Sequence, residues 1–226
     1  MLKPKKKITK RDLKEDKFVT FTLKARDYIE TNMKMLVRAG IVVLLIIIAV
    51  SMFIHSKRNA TIRASELLGE AQLANSKGNS MKADSLLKVL VTEYDGVTAA
   101  GQGCFLLAKM YWEQNDFDNA QIYFKKYLDE YGGDDLLTAG ALAGYADCLI
   151  QKGQIAEAAK YYEKAGLLNK ELPEVPSYLY SAARAYLEAK DFQKAKSLAE
   201  KIVQEYQKSE YKSKAEILLN MAKLES

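Results

Sequence analysis

Histidine is nearly missing from this chain: His55 is the only one among 226 residues. Cysteine occurs twice, at Cys104 and Cys148, with no CxxC pair and no Cys/His cluster. A structural zinc site needs several such ligands at short spacing, and most covalent catalysis pairs a nucleophile with a histidine base, so the composition argues against both. Both cysteines fall on apolar helical faces, where cysteine behaves as a small hydrophobe, and no disulfide between them is expected. Proline is limited to Pro4, Pro173 and Pro176. Proline breaks helices, so this scarcity leaves room for long ones. There is no phosphate-binding glycine loop; "EYGGDD", Glu130 to Asp135, follows a helical pattern and reads as its C-terminal stop. No residue is assigned a catalytic, cofactor-binding or metal-binding role, and the chain is not expected to be an enzyme.

Charge of one sign is also absent from most of the chain. Residues 1–35 hold 11 Lys/Arg against 5 Asp/Glu, whereas residues 55–226 hold 22 against 24. The overall net charge of +5 and the isoelectric point near 8.9 therefore come from the amino-terminal tail. The remainder carries no electrostatic footprint for nucleic acid.

Between these regions lies "KMLVRAGIVVLLIIIAVSMFIHSKR", Lys34 to Arg58. From Leu36 to Ile54 the only charge is Arg38, near the entry end. Nineteen residues at about 1.5 Å each span roughly 28 Å, close to the thickness of a hydrocarbon core. A buried core helix would need apolar neighbours on every side, and the rest of the chain is amphipathic. A cleaved signal has a short basic region, a shorter apolar core and a small-residue cleavage site. Here the basic region runs to 35 residues and "SMFIHSKRN" offers no such site. An uncleaved signal anchor over residues 36–55 fits better. The excess of Lys/Arg before the span places the tail in the cytoplasm and exports the rest, although Lys57, Arg58 and Arg63 follow the span. In a bacterium this gives a single-pass inner-membrane protein with a periplasmic domain. His55 reads as an interfacial residue at the exit of the span.

The tail, residues 1–35, carries its own pattern. Thr9-x-x-Asp12 has the spacing of a helix-capping box. Phe18, Phe21, Ala25, Tyr28, Ile29 and Met33 then recur three to four residues apart, one face of an amphipathic helix with basic residues opposite. Such a helix can lie on anionic membrane lipid or against a partner; a solvated tail that only enforces topology is equally compatible.

Residues 56–226 repeat. "ADSLLKVLVTEYDG" from Ala83, "AQIYFKKYLDEYGG" from Ala120, "AAKYYEKAGLLNKE" from Ala158 and "AKSLAEKIVQEYQK" from Ala195 share one frame, with leading alanines 37, 38 and 37 residues apart. Each is preceded by another helical pattern and a polar turn: "NSKGNSMK", "EQNDFDN", "QKGQIAE" and "EAKDFQK". Self-similarity at this period means a solenoid, here of helical hairpins that must stack to bury their apolar faces. "SEYKSKAEILLNMAKLES" reads as a capping helix with a polar outer side.

The second unit carries Cys104, Leu107-Ala108, Tyr111, Phe117, Ala120 and Phe124. The third carries Leu142, Tyr145-Ala146, Leu149, Gly153, Ala158 and Tyr162; the fourth, Leu179, Ala182-Ala183, Tyr186, Phe192, Ala195 and Ala199. The first unit keeps only Leu67, Ala71, Ala83 and Leu87. This pattern resembles the tetratricopeptide repeat, W-x2-L-G-x2-Y…A-x3-F, over roughly residues 60–225. The fold expected is all-α: a transmembrane helix, then an α-solenoid of about four hairpins and a cap. Small residues at Ala71, Ala108, Ala146 and Ala183 let helices approach. Tyr111, Phe124, Tyr162 and Tyr186 fill the space between hairpins, and the residues beyond the family's usual 34 lengthen the connections. The resemblance implies binding on a concave surface lined by the first helix of each hairpin, which selects Phe105, Lys109 and Trp112 from the second unit and Tyr180, Arg184 and Leu187 from the fourth. Packing of Trp112 against a neighbouring hairpin is the competing reading. Lys109 and Arg184 alone resemble parts of the clamp some members use for C-terminal carboxylates.

The layout of tail, anchor and small exported array resembles the YfgM-type ancillary subunits of the bacterial SecYEG translocon. That resemblance implies protein partners, the translocon and periplasmic chaperones, with no cofactor, nucleic acid or small-molecule substrate. The tail here is longer than the usual one and would dock on the translocon or on lipid headgroups. The alternatives are an envelope scaffold for cell division or outer-membrane assembly, an enzyme or enzyme regulator, which the absence of any site disfavours, and a cytoplasmic receptor topology that the flanking charges oppose.

Overall fold

The structure, a computed structural model, describes the backbone of residues 17–225 and the side chains of residues 20–224. The expected capping box at Thr9 and Asp12 lies outside the described residues. Among those described there are nine α-helices and no strand. The chain divides into two units between Lys57 and Arg58.

Helix α1, Lys17–Ser76, runs through both without interruption. The sequence suggested a tail helix, a span and the first helix of a hairpin; the structure makes them one element. No proline occurs between Pro4 and Pro173, and the two glycines of α1, Gly40 and Gly69, are isolated, so nothing forces a kink. Its apolar stretch is long enough to cross a membrane, and none of it is buried.

The second unit is built from the end of α1 and eight shorter helices: α2 (Ser80–Glu93), α3 (Thr98–Glu113), α4 (Phe117–Glu130), α5 (Asp135–Gln151), α6 (Ile155–Leu168), α7 (Val175–Glu188), α8 (Phe192–Glu205) and α9 (Tyr211–Glu225). Each helix from α2 onward packs on the next. Two columns of alanine run through the core. Ala71, Ala108, Ala146 and Ala183 on the first helices, and Ala83, Ala120, Ala158 and Ala195 on the second, are all fully buried. Small side chains at these positions permit the close approach the hairpin requires. Larger ones fill the gaps: Phe124, Tyr162 and Tyr186 are buried, and Tyr111 packs half-buried on the core.

The period is written into the turns as well. Gly78, Asn115, Gly153 and Lys190 all adopt positive φ, at 76°, 62°, 74° and 62°. In each turn the following N–H reaches back five residues: Asn79 to Ala74, Asp116 to Tyr111, Gln154 to Leu149 and Asp191 to Tyr186, at 2.8–2.9 Å. This is the Schellman arrangement, which satisfies the last carbonyls of one helix as the chain reverses. Asn79, Asp116 and Asp191 then cap the next helix by accepting from the backbone N–H three residues on. Connections between hairpins, residues 94–97, 131–134, 169–174 and 206–210, are longer than the turns within them.

The outer side of α9 is mixed. Ala215, Leu218 and Ala222 face the core, which turns Ile217, Met221 and Leu224 outward, and all three are exposed. Ser213, Lys214, Glu216, Asn220 and Lys223 are exposed beside them, so the outer side of the cap is polar with an apolar stripe running through it.

Candidate functional site

Helix α5 supplies the floor of a groove. Gly140, Ala143, Gly144 and Asp147 fall at helical spacing on one side of it, and two of the four have no side chain. Aromatic rings from the preceding hairpin use the vacated space. Phe105 lies so close to Gly140 that an added Cβ would be 3.2 Å from its ring, and Phe124 lies closer still to Gly144. Phe105 meets Phe124 edge to face, with centroids 5.9 Å apart, and Tyr127 at 6.1 Å. Lys109, Trp112 and Glu113 rise from the last turns of α3 as one wall, and Tyr178 of α7 stands on the other. The enclosed volume is about 330 Å³. Trp112, the chain's single tryptophan, is 40% exposed there, so part of its surface faces the groove.

Of the residues selected from the sequence, Phe105, Lys109 and Trp112 therefore come together, and the fourth-unit set does not join them. Tyr180 packs its ring on Tyr211 of α9, with centroids 5.6 Å apart. Leu187 is half-buried on the core. Arg184 is exposed, and its charge acts on Asp147. Sequence reasoning missed Gly140, Gly144, Asp147 and Tyr178. The available signal was Gly140-x3-Gly144-x2-Asp147 inside a helix, since glycine costs a helix about 1 kcal/mol relative to alanine and asks for a packing reason.

Asp147 is the electrostatic feature of the groove. Burial holds its carboxyl above the ordinary carboxylate value, opposed by the Tyr162 hydroxyl that donates to it and by the Arg184 guanidinium. Burial likewise pushes the Tyr162 phenol up. Lys109 and Glu113 are exposed along the groove wall, so both signs of charge border its aromatic lining. This arrangement suits a polypeptide segment: aromatic rings for an apolar side chain, with charges to set register. Among the described residues no group of three or more His, Cys, Asp or Glu stands ready to hold a metal ion.

A second cavity, of about 490 Å³, lies where hairpins join, lined by Gly96, Tyr131 and Asp134 among others. The Tyr131 hydroxyl donates to Asp95 at 2.6 Å and accepts from the Gly96 N–H at 3.2 Å, tying one connection to the next. Its polar groups are thus engaged in the joint itself.

The tetratricopeptide repeat-like domain family matches residues 26–167, more than half the chain. The chain belongs to this family. A single tetratricopeptide repeat is matched again at residues 177–209. Comparison with curated proteins finds no match. Solved structures share the fold. A tetratricopeptide repeat protein from Parabacteroides merdae superposes with a TM-score of 0.58 at 19% identity, over 71% of this chain and 60% of that one. The chain therefore spans less than two thirds of that relative. A putative kinesin light chain with nearly identical repeats from Podosopora anserina gives 0.53 at 17% identity, over 73% and 95%. BtubC from P. vanneervenii gives 0.54 at 18% identity, over 75% and 81%. Tetratricopeptide repeat arrays engage proteins, and the groove on α3, α5 and α7 is where this one presents its exposed tryptophan.

Proposed function

We propose that this chain is a membrane-anchored docking adaptor whose groove holds a segment of a partner protein. The observation that carries the proposal is the convergence of Phe105, Lys109 and Trp112 on a groove floored by α5. Trp112 and Phe105 take an apolar side chain of the visitor, while Lys109 sets the register of its backbone or a carboxylate. Residues 36–55 are the anchor, residues 1–35 remain in the cytoplasm and residues 56–226 are exported. The family match begins at residue 26 and so takes in the apolar stretch, which supports reading the stretch as part of the family's architecture. The likeness of layout to the YfgM-type subunits supports a place beside the SecYEG translocon, linking it to periplasmic chaperones.

The experiment is in-cell photocrosslinking from position 112 and from the span, followed by mass spectrometry. Recovery of SecY or SecG from the span and of a periplasmic chaperone from position 112 is the expected result. Recovery of division or outer-membrane assembly proteins alone replaces this reading with an envelope scaffold. Protease treatment of spheroplasts checks topology: an array protected from digestion rules out export. Trp112→Ala should weaken the position-specific partnership while leaving helicity intact, because the ring is 40% exposed. Loss of helicity would identify the ring as a packing element.

A further inference from the structure

Helix α1 carries an apolar face that nothing in the described structure covers. Counting in sevens from Ala25, positions a are Ala25, Asn32 and Ala39, and positions d are Phe21, Tyr28, Met35 and Val42. Ile29 and Leu36 extend the seam at position e. Phe21, Tyr28, Ile29 and Met35 are all exposed. Every charge over residues 20–42 lies elsewhere: Lys24, Arg26, Asp27, Glu30, Lys34 and Arg38 occupy b, c, f or g. Arg26 and Glu30 pair along their own helix at 2.7 Å.

We infer that this seam pairs with a second copy of the chain, in parallel and in register, from Phe21 across the water–membrane boundary to Val42. Three observations choose that occupant. First, α1 continues unbroken from Lys17 into the apolar stretch, so the segment has no bend by which to lie along a lipid surface. Second, two copies of one membrane protein enter the bilayer the same way, so like residues meet; a two-fold interface then sets a and d against themselves with no charge on the seam. This step rests on the anchor reading above. Third, Asn32 stands at a central a position, the placement by which one polar residue fixes two strands in register. Its Nδ2 donates to the Tyr28 carbonyl at 3.0 Å, which leaves its Oδ1 to accept across the seam. Ala25 and Ala39, small residues at a positions, keep the backbones able to approach, as close packing within lipid requires. The area suffices: an arc of about 160° on a helix about 11 Å wide and about 33 Å long gives about 500 Å² per copy. The total of about 1,000 Å² is where specific interfaces begin.

The test is a cysteine scan of residues 20–38 in the full-length chain, oxidised in isolated membranes and read as disulfide-linked dimer. Cys104 and Cys148 are buried, so the background is low. Cysteines at Phe21, Ala25, Tyr28, Asn32 and Met35 should crosslink at least about fivefold more than those at Asp27, Thr31 and Lys34, the periodicity of a parallel seam. Asn32→Lys, placed in the Tyr28→Cys background, should abolish the Tyr28 crosslink. Uniform crosslinking, none, or a photoreactive Tyr28 that labels lipid or a different protein overturns the pairing. Carbonate extraction separates the two readings. Membrane-retained protein without periodic crosslinks overturns the pairing and leaves the anchor standing. Protein released by carbonate that still crosslinks at a and d overturns the anchor and supports the pairing.

Discussion

The ring of Phe124 occupies the space that a side chain at Gly144 would take. A Cβ there would stand 2.6 and 2.8 Å from Cε2 and Cε1 and nearer still to Cζ. Phe124 is 3% exposed and braced by Phe105, so it cannot swing clear. Alanine favours a helix over glycine by about 1 kcal/mol, but overpacking a filled core costs about 1–3 kcal/mol. Gly144→Ala should therefore destabilise by up to about 2 kcal/mol. At Gly69 the position is exposed with nothing within 4 Å, and the same change should stabilise by about 0.5–1 kcal/mol. Urea melts of the full-length chain in detergent, followed by Trp112 emission and helicity, check both; equal signs would sink the argument.

The four left-handed turn residues make a second comparison. Gly78 and Gly153 carry positive φ without strain, and Asn115 belongs to the residues that tolerate it. Lys190 does not, yet sits at φ 62° because its turn must match the other three. Lys190→Gly should stabilise by about 0.5–1 kcal/mol, Asn115→Gly by less, and Gly153→Ala should destabilise by about 1 kcal/mol. Melting temperatures rank them; a Lys190→Gly variant that melts below the parent would refute the strain.

Much of this was legible beforehand because it repeats. The alanine columns and the polar turns recur at 37, 38 and 37 residues, and a period needs no knowledge of contacts to be seen. Phe105, Lys109 and Trp112 followed from helical spacing within one such unit. The rest of the groove did not, because Tyr178 and Asp147 reach it from other hairpins, and only packing decides that Tyr180 turns instead to Tyr211. The unbroken α1 was hidden for a different reason. Its three parts differ in polarity, which suggested three elements, while the backbone responds only to breakers and finds none. On α9 the polar residues Lys214, Glu216 and Asn220 are legible as an outer side, while only packing decides that Ile217, Met221 and Leu224 share it.

Burial governs the two thiols. Both cysteines are free and buried, and loss of water pushes Cys104 up to about 12 and Cys148 up to about 11. The thiolate is the reactive species, so both should resist iodoacetamide at about pH 8 in the folded protein and label together as it unfolds in urea. Rapid labelling of either in native membranes would contradict the helix packing around α3 and α5.

Asp147 links the groove to pH. Burial raises its carboxyl above the ordinary 3.8, with the Tyr162 hydroxyl and Arg184 opposing. In the unfolded chain the carboxyl ionises first as pH rises, so across the window from 3.8 up to the folded value the native state holds more protons. Stability therefore declines with rising pH through that window, and the favourable contribution is present in full only below 3.8. In the Asp147→Asn variant the amide cannot ionise, yet its carbonyl still accepts from Tyr162. The difference in stability between Asp147→Asn and the parent should thus be flat below pH 3.8 and then grow in the variant's favour before levelling off. Tyr162→Phe removes the donor that stabilises the carboxylate, and should make the parent's decline steeper and carry it to higher pH. Paired denaturation curves at successive pH values read the sign directly. A parent that gains on the amide variant as pH rises would mean that the carboxylate, and not the acid, is the form the groove favours.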